Sequence, residues 1–111
     1  MKVLIADKMA PAVESDLRAI GCQVVADPTL NGDALKEALS THDPAVLIVR
    51  STKVLNEHLD AARALSLVIR AGAGFNTIAV EHASRRGVYV ANCPGKNAAA
   101  VAELALGHML N

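Results

Sequence analysis

The stretch 67-LVIRAGAGFNTIAVEHASRRG-87 decides how this chain folds. Leu67, Val68 and Ile69 form a short apolar run, a glycine turn follows from Gly72, and helix-forming residues run from about 78 to Gly87. A strand, a turn and a helix in that order make one β-α unit. The turn itself admits three readings. A dinucleotide fingerprint needs G-x-G-x-x-G at a first β-α turn and an acid about 20 residues on for the ribose. Here the third glycine position is Thr77, the next apolar run ends at Asn92, and the turn follows the fourth run rather than the first, so that reading is disfavoured. The glycines can instead bare backbone amides to a carboxylate or phosphate, or simply permit a tight strand exit; both stay open at this point.

Outward from that unit the pattern repeats. Further apolar runs stand at 3-VLIA-6, 24-VVA-26, 46-VLIV-49 and 88-VYVA-91. They are continuous rather than alternating, as strands of a parallel sheet covered on both faces must be. Between them the spacing is helical. Pro11 suits a first helical turn, with Val13, Leu17 and Ile20 on one face before Gly21. Asp33 is placed to cap a second helix bearing Leu35, Ala38 and Leu39, which Asp43-Pro44 stops. Asn56 is placed to cap a third with Leu59 and Ala62. Alternating β and α elements with right-handed crossovers build an α/β three-layer domain with helices on both faces of a five-stranded parallel sheet. The segment 98-AAAVAELALGHMLN-111 departs from the rhythm: it is helix-forming and apolar on nearly every side, so it needs a partner surface.

Composition narrows function. With 111 residues one domain is expected. Lysine plus arginine and aspartate plus glutamate both total 11, and there is one Phe and one Tyr, so neither a cationic footprint nor a base-stacking platform for nucleic acid exists. Cys22 and Cys93 lie far apart without ligand-spaced histidines, which indicates neither zinc nor a disulfide framework. The opening MKVLIADKMAP has too short an apolar run for a signal or a membrane span, and a cytoplasmic location is expected.

In a parallel α/β sheet ligands bind beyond the carboxyl ends of the strands. The polar residues assigned there are Asp7, Lys8, Asp27, Arg50, Ser51, Thr52, the Gly72–Phe75 turn and 92-NCPGKN-97. Taken together and in order, 46-VLIVRSTKV-54, 69-IRAGAGFNTI-78 and 81-EHASRRGVYVANCPGKNAAAVAELALGHML-110 resemble the N-terminal substrate-binding domain of the D-isomer-specific 2-hydroxyacid dehydrogenases, over nearly the whole chain. The resemblance implies a flavodoxin-like sheet of order 2-1-3-4-5. It implies residues 1–97 as the substrate-binding domain and 98–111 as the first helix of a separate NAD-binding domain, here folded back or swapped into a homodimer. It implies that Ala73, Gly74 and Phe75 face the substrate carboxylate, and that Arg50 and Ser51 meet its far end, a phosphate where the substrate is D-3-phosphoglycerate, with Asn97 helping. Ala73 and Val101 would adjoin the NAD cofactor. The family's catalytic arginine, glutamate and histidine have no counterpart among these residues, so the chain alone is expected to bind without turnover. Asn76-Thr77 and Ala98 depart from what many relatives carry.

Blander readings compete with several of these. Arg50 could be an ordinary surface ion pair. His42, His58, His82 and His108 fall on or beside helices and are expected to be solvated. Cys93 reads as a small hinge residue and Arg85-Arg86 as a solvated helix end. A stand-alone binding or dimerisation module is the alternative function. A phosphoacceptor receiver of similar fold fails, because its acid would stand where Arg50 does.

Overall fold

The computed structural model describes residues 1–8, 11–71, 78–93, 101, 103, 104 and 107. Strands and helices alternate without exception: β1 (Lys2–Ile5), α1 (Pro11–Ala19), β2 (Gln23–Ala26), α2 (Gly32–His42), β3 (Val46–Val49), α3 (Asn56–Ala61), β4 (Leu67–Arg70), α4 (Val80–Arg85) and β5 (Tyr89–Asn92). The strands form one sheet in the order β2-β1-β3-β4-β5. Every pairing is parallel. This is the α/β arrangement with flavodoxin-like strand order that the sequence led us to expect.

The sheet's direction of travel sets its layers. The chain steps from β1 outward to β2, then crosses to β3 and continues the other way through β4 and β5. Right-handed crossovers therefore put α1 on one face and α2, α3 and α4 on the other. The core divides accordingly. Leu4, Leu47, Val49 and Val68 pack with Leu35, Leu39, Leu59 and Ala83. Val3, Ile5, Val46, Ile48 and Ile69 pack with Val13 and Leu17. Alternate residues of each strand thus serve opposite faces, and all four residues of β3 are buried. Val101, 2% exposed, and the partly buried Leu104 belong to the α1-side cluster. The rest of 98–111 lies outside the described residues, apart from positions 103 and 107.

Helix ends depart from the sequence reading in instructive ways. Pro11 does open α1, where its fixed φ and missing N–H cost nothing. The N-cap of α2 is Asn31, without a side-chain cap bond, and Asp33 sits inside the first turn, where its charge meets the helix dipole instead of capping. Asp43 ends α2 in the left-handed region at φ 47°, ψ 57°, its N–H donating to the Leu39 carbonyl. Asn56 is the first residue of α3 rather than its cap; Leu55 holds the cap position and has no side-chain acceptor to offer. His58 supplies the missing contact. Its Nδ1 accepts from the Leu55 N–H at 2.9 Å, so Nε2 carries the hydrogen and donates to the Gly32 carbonyl at 2.8 Å. At 1% exposure it is a buried brace between the starts of α2 and α3, not the solvated histidine expected. His82 is likewise engaged, with Nε2 2.7 Å from Asp60 Oδ1, and Arg86 lies 3.5 Å from the same oxygen. Among the described residues no helix is long and apolar enough to cross a membrane.

Leu47 stands on the central strand with no exposure, whereas Val80 opens α4 at 40% exposure. Leu47→Ala should cost about 2–5 kcal/mol of unfolding free energy, and Val80→Ala should stay within about 0.5 kcal/mol. Urea melts of the two variants compare them directly; equal midpoints would contradict the placement of the core.

Candidate functional site at the carboxyl edge

Register brings the first site residues together. β1 and β3 are neighbours with Ile5 opposite Ile48, and the Ala6 N–H extends the ladder to the Ile48 carbonyl at 3.0 Å. Asp7 and Arg50, each two residues further on, therefore emerge side by side. Leaving β3, the chain presents the N–H groups of Arg50, Ser51 and Thr52 to one oxygen: all donate to Asp7 Oδ2, at 2.6, 3.1 and 3.0 Å. The Thr52 hydroxyl donates to Asp7 Oδ1 at 2.8 Å. Successive amides turned the same way form an anion-binding nest, and here the anion is the chain's own carboxylate. Partial burial alone would raise the Asp7 pKa, but the amides of Arg50 and Thr52, the Thr52 hydroxyl and the Ser51 amide together hold it below the ordinary 3.8.

With its backbone held, Arg50 directs an exposed side chain outward, and Ser51 beside it is exposed too. Among the described residues the Arg50 guanidinium has no ion-pair partner; the salt bridges there involve Arg18, His82 and Arg86. The bland reading of Arg50 as a surface ion pair is therefore not realised among them. Lys8 and Lys53 are also exposed on the same two loops. The edge is thus cationic in its side chains while its one recessed carboxylate is engaged by amides. Asp27, after β2, is turned inward on itself, its Oδ1 accepting from the Thr29 N–H at 2.9 Å and the Thr29 hydroxyl at 2.6 Å. Those two bonds, the hydroxyl's foremost, lower its pKa from 3.8.

Ala73, Gly74, Phe75 and Asn97 lie outside the described residues. Val101 is described and buried against the α1-side core, so it turns almost no surface toward a ligand. The described residues do not fit a dinucleotide. The turn after β1 has no glycine, the acids after β1 and β2 are taken by neighbouring amides and hydroxyls, and β5 ends on Asn92, whose buried Oδ1 is an acceptor without a hydrogen-bond partner. Nor do they hold a metal: among them no three His, Cys, Asp or Glu residues gather. Cys22 and Cys93 are buried thiols that do not form a disulfide with each other, and the Cys93 N–H donates to the Arg70 carbonyl at 2.8 Å, continuing the β4–β5 ladder.

Sequence reasoning put Asp7 and Thr52 at this edge, with the Thr52 hydroxyl among the anion-binding groups and Asp7 without a role; the structure instead joins the two. The signal available was register: an acid shortly after one central strand and a hydroxyl shortly after its neighbour can meet only if the two strands pair. Once the strand order is fixed, that contact is the expected one.

A site made of an exposed guanidinium and hydroxyl at a parallel sheet's exit suits small anionic acids. Comparison with known proteins agrees. The family model for the catalytic domain of D-isomer specific 2-hydroxyacid dehydrogenases matches residues 3–106. The chain belongs to this family. Among curated relatives, D-3-phosphoglycerate dehydrogenase of Sus scrofa is 40% identical over 110 residues, covering 98% of this chain and 20% of the relative. The enzyme of the same name from Archaeoglobus fulgidus is 32% identical over 110 residues. A hydroxypyruvate reductase of Thermotoga maritima is 47% identical over 66 residues, 59% of this chain. Among solved structures, NAD+-bound 3-phosphoglycerate dehydrogenase of Entamoeba histolytica superposes with a TM-score of 0.75 at 30% identity, covering 98% of this chain and 38% of that one. The chain thus spans about a fifth of the length of the first curated relatives it matches.

A depressed carboxylate pKa stabilises the fold above the unfolded value and loses that contribution as pH falls through the folded value. Asp7 should therefore contribute fully above the ordinary 3.8 and cease to contribute below its lowered pKa. Asp7→Asn should be less stable than the parent at neutral pH, and the gap should close as pH is taken below 3.8 in a series of denaturant melts. A gap independent of pH would contradict the amide-held carboxylate.

Proposed function

We propose that these residues form the acid-binding portion of an NAD-dependent oxidoreductase acting on D-2-hydroxy acids, with D-3-phosphoglycerate as the substrate, oxidised to 3-phosphohydroxypyruvate in serine biosynthesis. Family membership and relatives carrying the name D-3-phosphoglycerate dehydrogenase support the reaction class. The observation that carries the substrate assignment is Arg50. Its guanidinium is exposed at the sheet's exit, unpaired among the described residues, on a backbone fixed by the neighbouring strand. A planar guanidinium matches phosphate oxygens in pairs, and the Ser51 hydroxyl adds a neutral donor beside it. On this reading Arg50 and Ser51 take the phosphate, the amides of Ala73, Gly74 and Phe75 take the carboxylate, and Asn97 adds a contact.

Oxidising a secondary alcohol to a ketone sets free a hydride and a proton, and no described residue is assigned to either transfer. Proton transfer needs a titrating group within reach of the reacting oxygen. Among the described histidines His58 is locked between helices and His82 is bound to Asp60. We therefore assign the nicotinamide and the proton-transferring groups to a further portion of a longer protein, with residues 98–111 leading into it. These residues alone should bind substrate without turnover. The presence of Val101 and Leu104 in the α1-side core supports this segment lying against the sheet when nothing else covers it, and exchange of it between two copies would give a dimer.

In the protein that joins these residues to their nicotinamide-binding portion, Arg50→Ala should raise KM for D-3-phosphoglycerate roughly 10- to 100-fold, the worth of a charged hydrogen bond. KM for unphosphorylated D-glycerate should change far less. Steady-state kinetics with both substrates decides it: parallel changes in the two KM values would remove Arg50 from the phosphate.

A further inference from the structure

An anion nest is built into the β3 exit, and Asp7 fills it. That fact reassigns the labour of the edge. The N–H groups of Arg50, Ser51 and Thr52 converge on Asp7 Oδ2 at 2.6, 3.1 and 3.0 Å and cannot serve a substrate anion as well. A substrate phosphate reaching this loop must then be met by side chains, and a long arginine side chain is useful only if its root is fixed. Two anchors hold that root: β-sheet pairing through Val49, opposite Arg70, and the Asp7 clamp that begins one residue later. Thr52, 9% exposed, closes the far end of the clamp through Oδ1, so both carboxylate oxygens are engaged.

We infer that Asp7 is a positioning residue for substrate: it fixes the Arg50–Thr52 loop so that the Arg50 guanidinium and Ser51 hydroxyl stand ready for the anionic end of the acid. The inference rests on the reading of Arg50 and Ser51 as substrate contacts. Charge adds a second effect. The carboxylate neutralises the nest's outward-facing positive potential and so keeps the substrate anion from settling on the amides instead of on Arg50. Without it, the three amides would compete for the phosphate. Asp7 also lines a depression with Lys8, Pro11, Glu14 and Pro28.

The test is a double-mutant cycle on Asp7→Ala and Arg50→Ala in the same protein as above, read as KM and kcat for D-3-phosphoglycerate, with a thermal melt of each variant and a repeat of Asp7→Ala in formate. Asp7→Ala should raise KM about tenfold with kcat nearly unchanged, and in the Arg50→Ala background it should raise KM little further, because there is no longer a guanidinium to position. Formate, which can occupy the vacated nest, should bring the KM of Asp7→Ala back toward the parent's and leave that of Arg50→Ala where it is. If Arg50→Ala leaves KM unchanged, the reading of the site fails. If Arg50→Ala raises KM but Asp7→Ala does not, or raises it by the same factor in both backgrounds, or loses only melting temperature, the positioning role fails while the site stands. Should Asp7→Ala not fold, Asp7→Asn, which keeps one acceptor oxygen and loses the charge, takes its place in the cycle under the same criteria.

Discussion

Three consecutive amides leave the fully buried strand β3 toward one acceptor, and in this chain that acceptor is a side chain delivered by the strand next door. Every part of the arrangement follows from parallel pairing of β1 with β3. The register that sets Ile5 against Ile48 sets Asp7 against the β3 exit. The Thr52 amide, on a residue only 9% exposed, would carry a penalty of about 1–3 kcal/mol if left unsatisfied, so the carboxylate is as much a part of the fold as of the site. The same residue lets the loop stay short and lets Arg50 point away from the sheet.

Two covers hold the sheet in place, and they are unequal. Three helices lie on one face, whereas α1 covers the other near β1 and β2. Ile48 and Ile69 are nevertheless unexposed on that second face, and the cluster they share includes Val101 and Leu104. Val101 and Leu104, which follow the last strand, therefore take part in the α1-side core.

Much of this was legible from residue order alone, because continuous runs such as 46-VLIV-49 can be satisfied only by burial on both faces, and Pro11, Gly21 and Asp43-Pro44 mark helix ends by backbone geometry. The strand order came from family likeness and not from patterning, since apolar runs of equal length do not say which neighbours pair. Caps were misread where a tertiary contact replaced a local one. Asn56 had the right side chain but stands one position too late, and His58 does the work through two bonds, one of them to Gly32 on another helix. Asp7 escaped assignment for the same reason: its partners are 43 to 45 residues away. Local chemistry predicts local bonds, and the site's keystone is long-range.

On the function proposed above, Arg50 is an anion receptor whose loop is already set before substrate arrives. An NMR titration of the protein with D-3-phosphoglycerate and, separately, with D-glycerate, following the Arg50 Nε–H and the amides of Ser51 and Thr52, tests it most directly. The account predicts that the phosphorylated acid shifts the Arg50 side-chain signal while the Ser51 and Thr52 amides keep the downfield positions of donors to a carboxylate. An unmoved Arg50 signal, or amides that change as though Asp7 had been displaced by the phosphate, would contradict it.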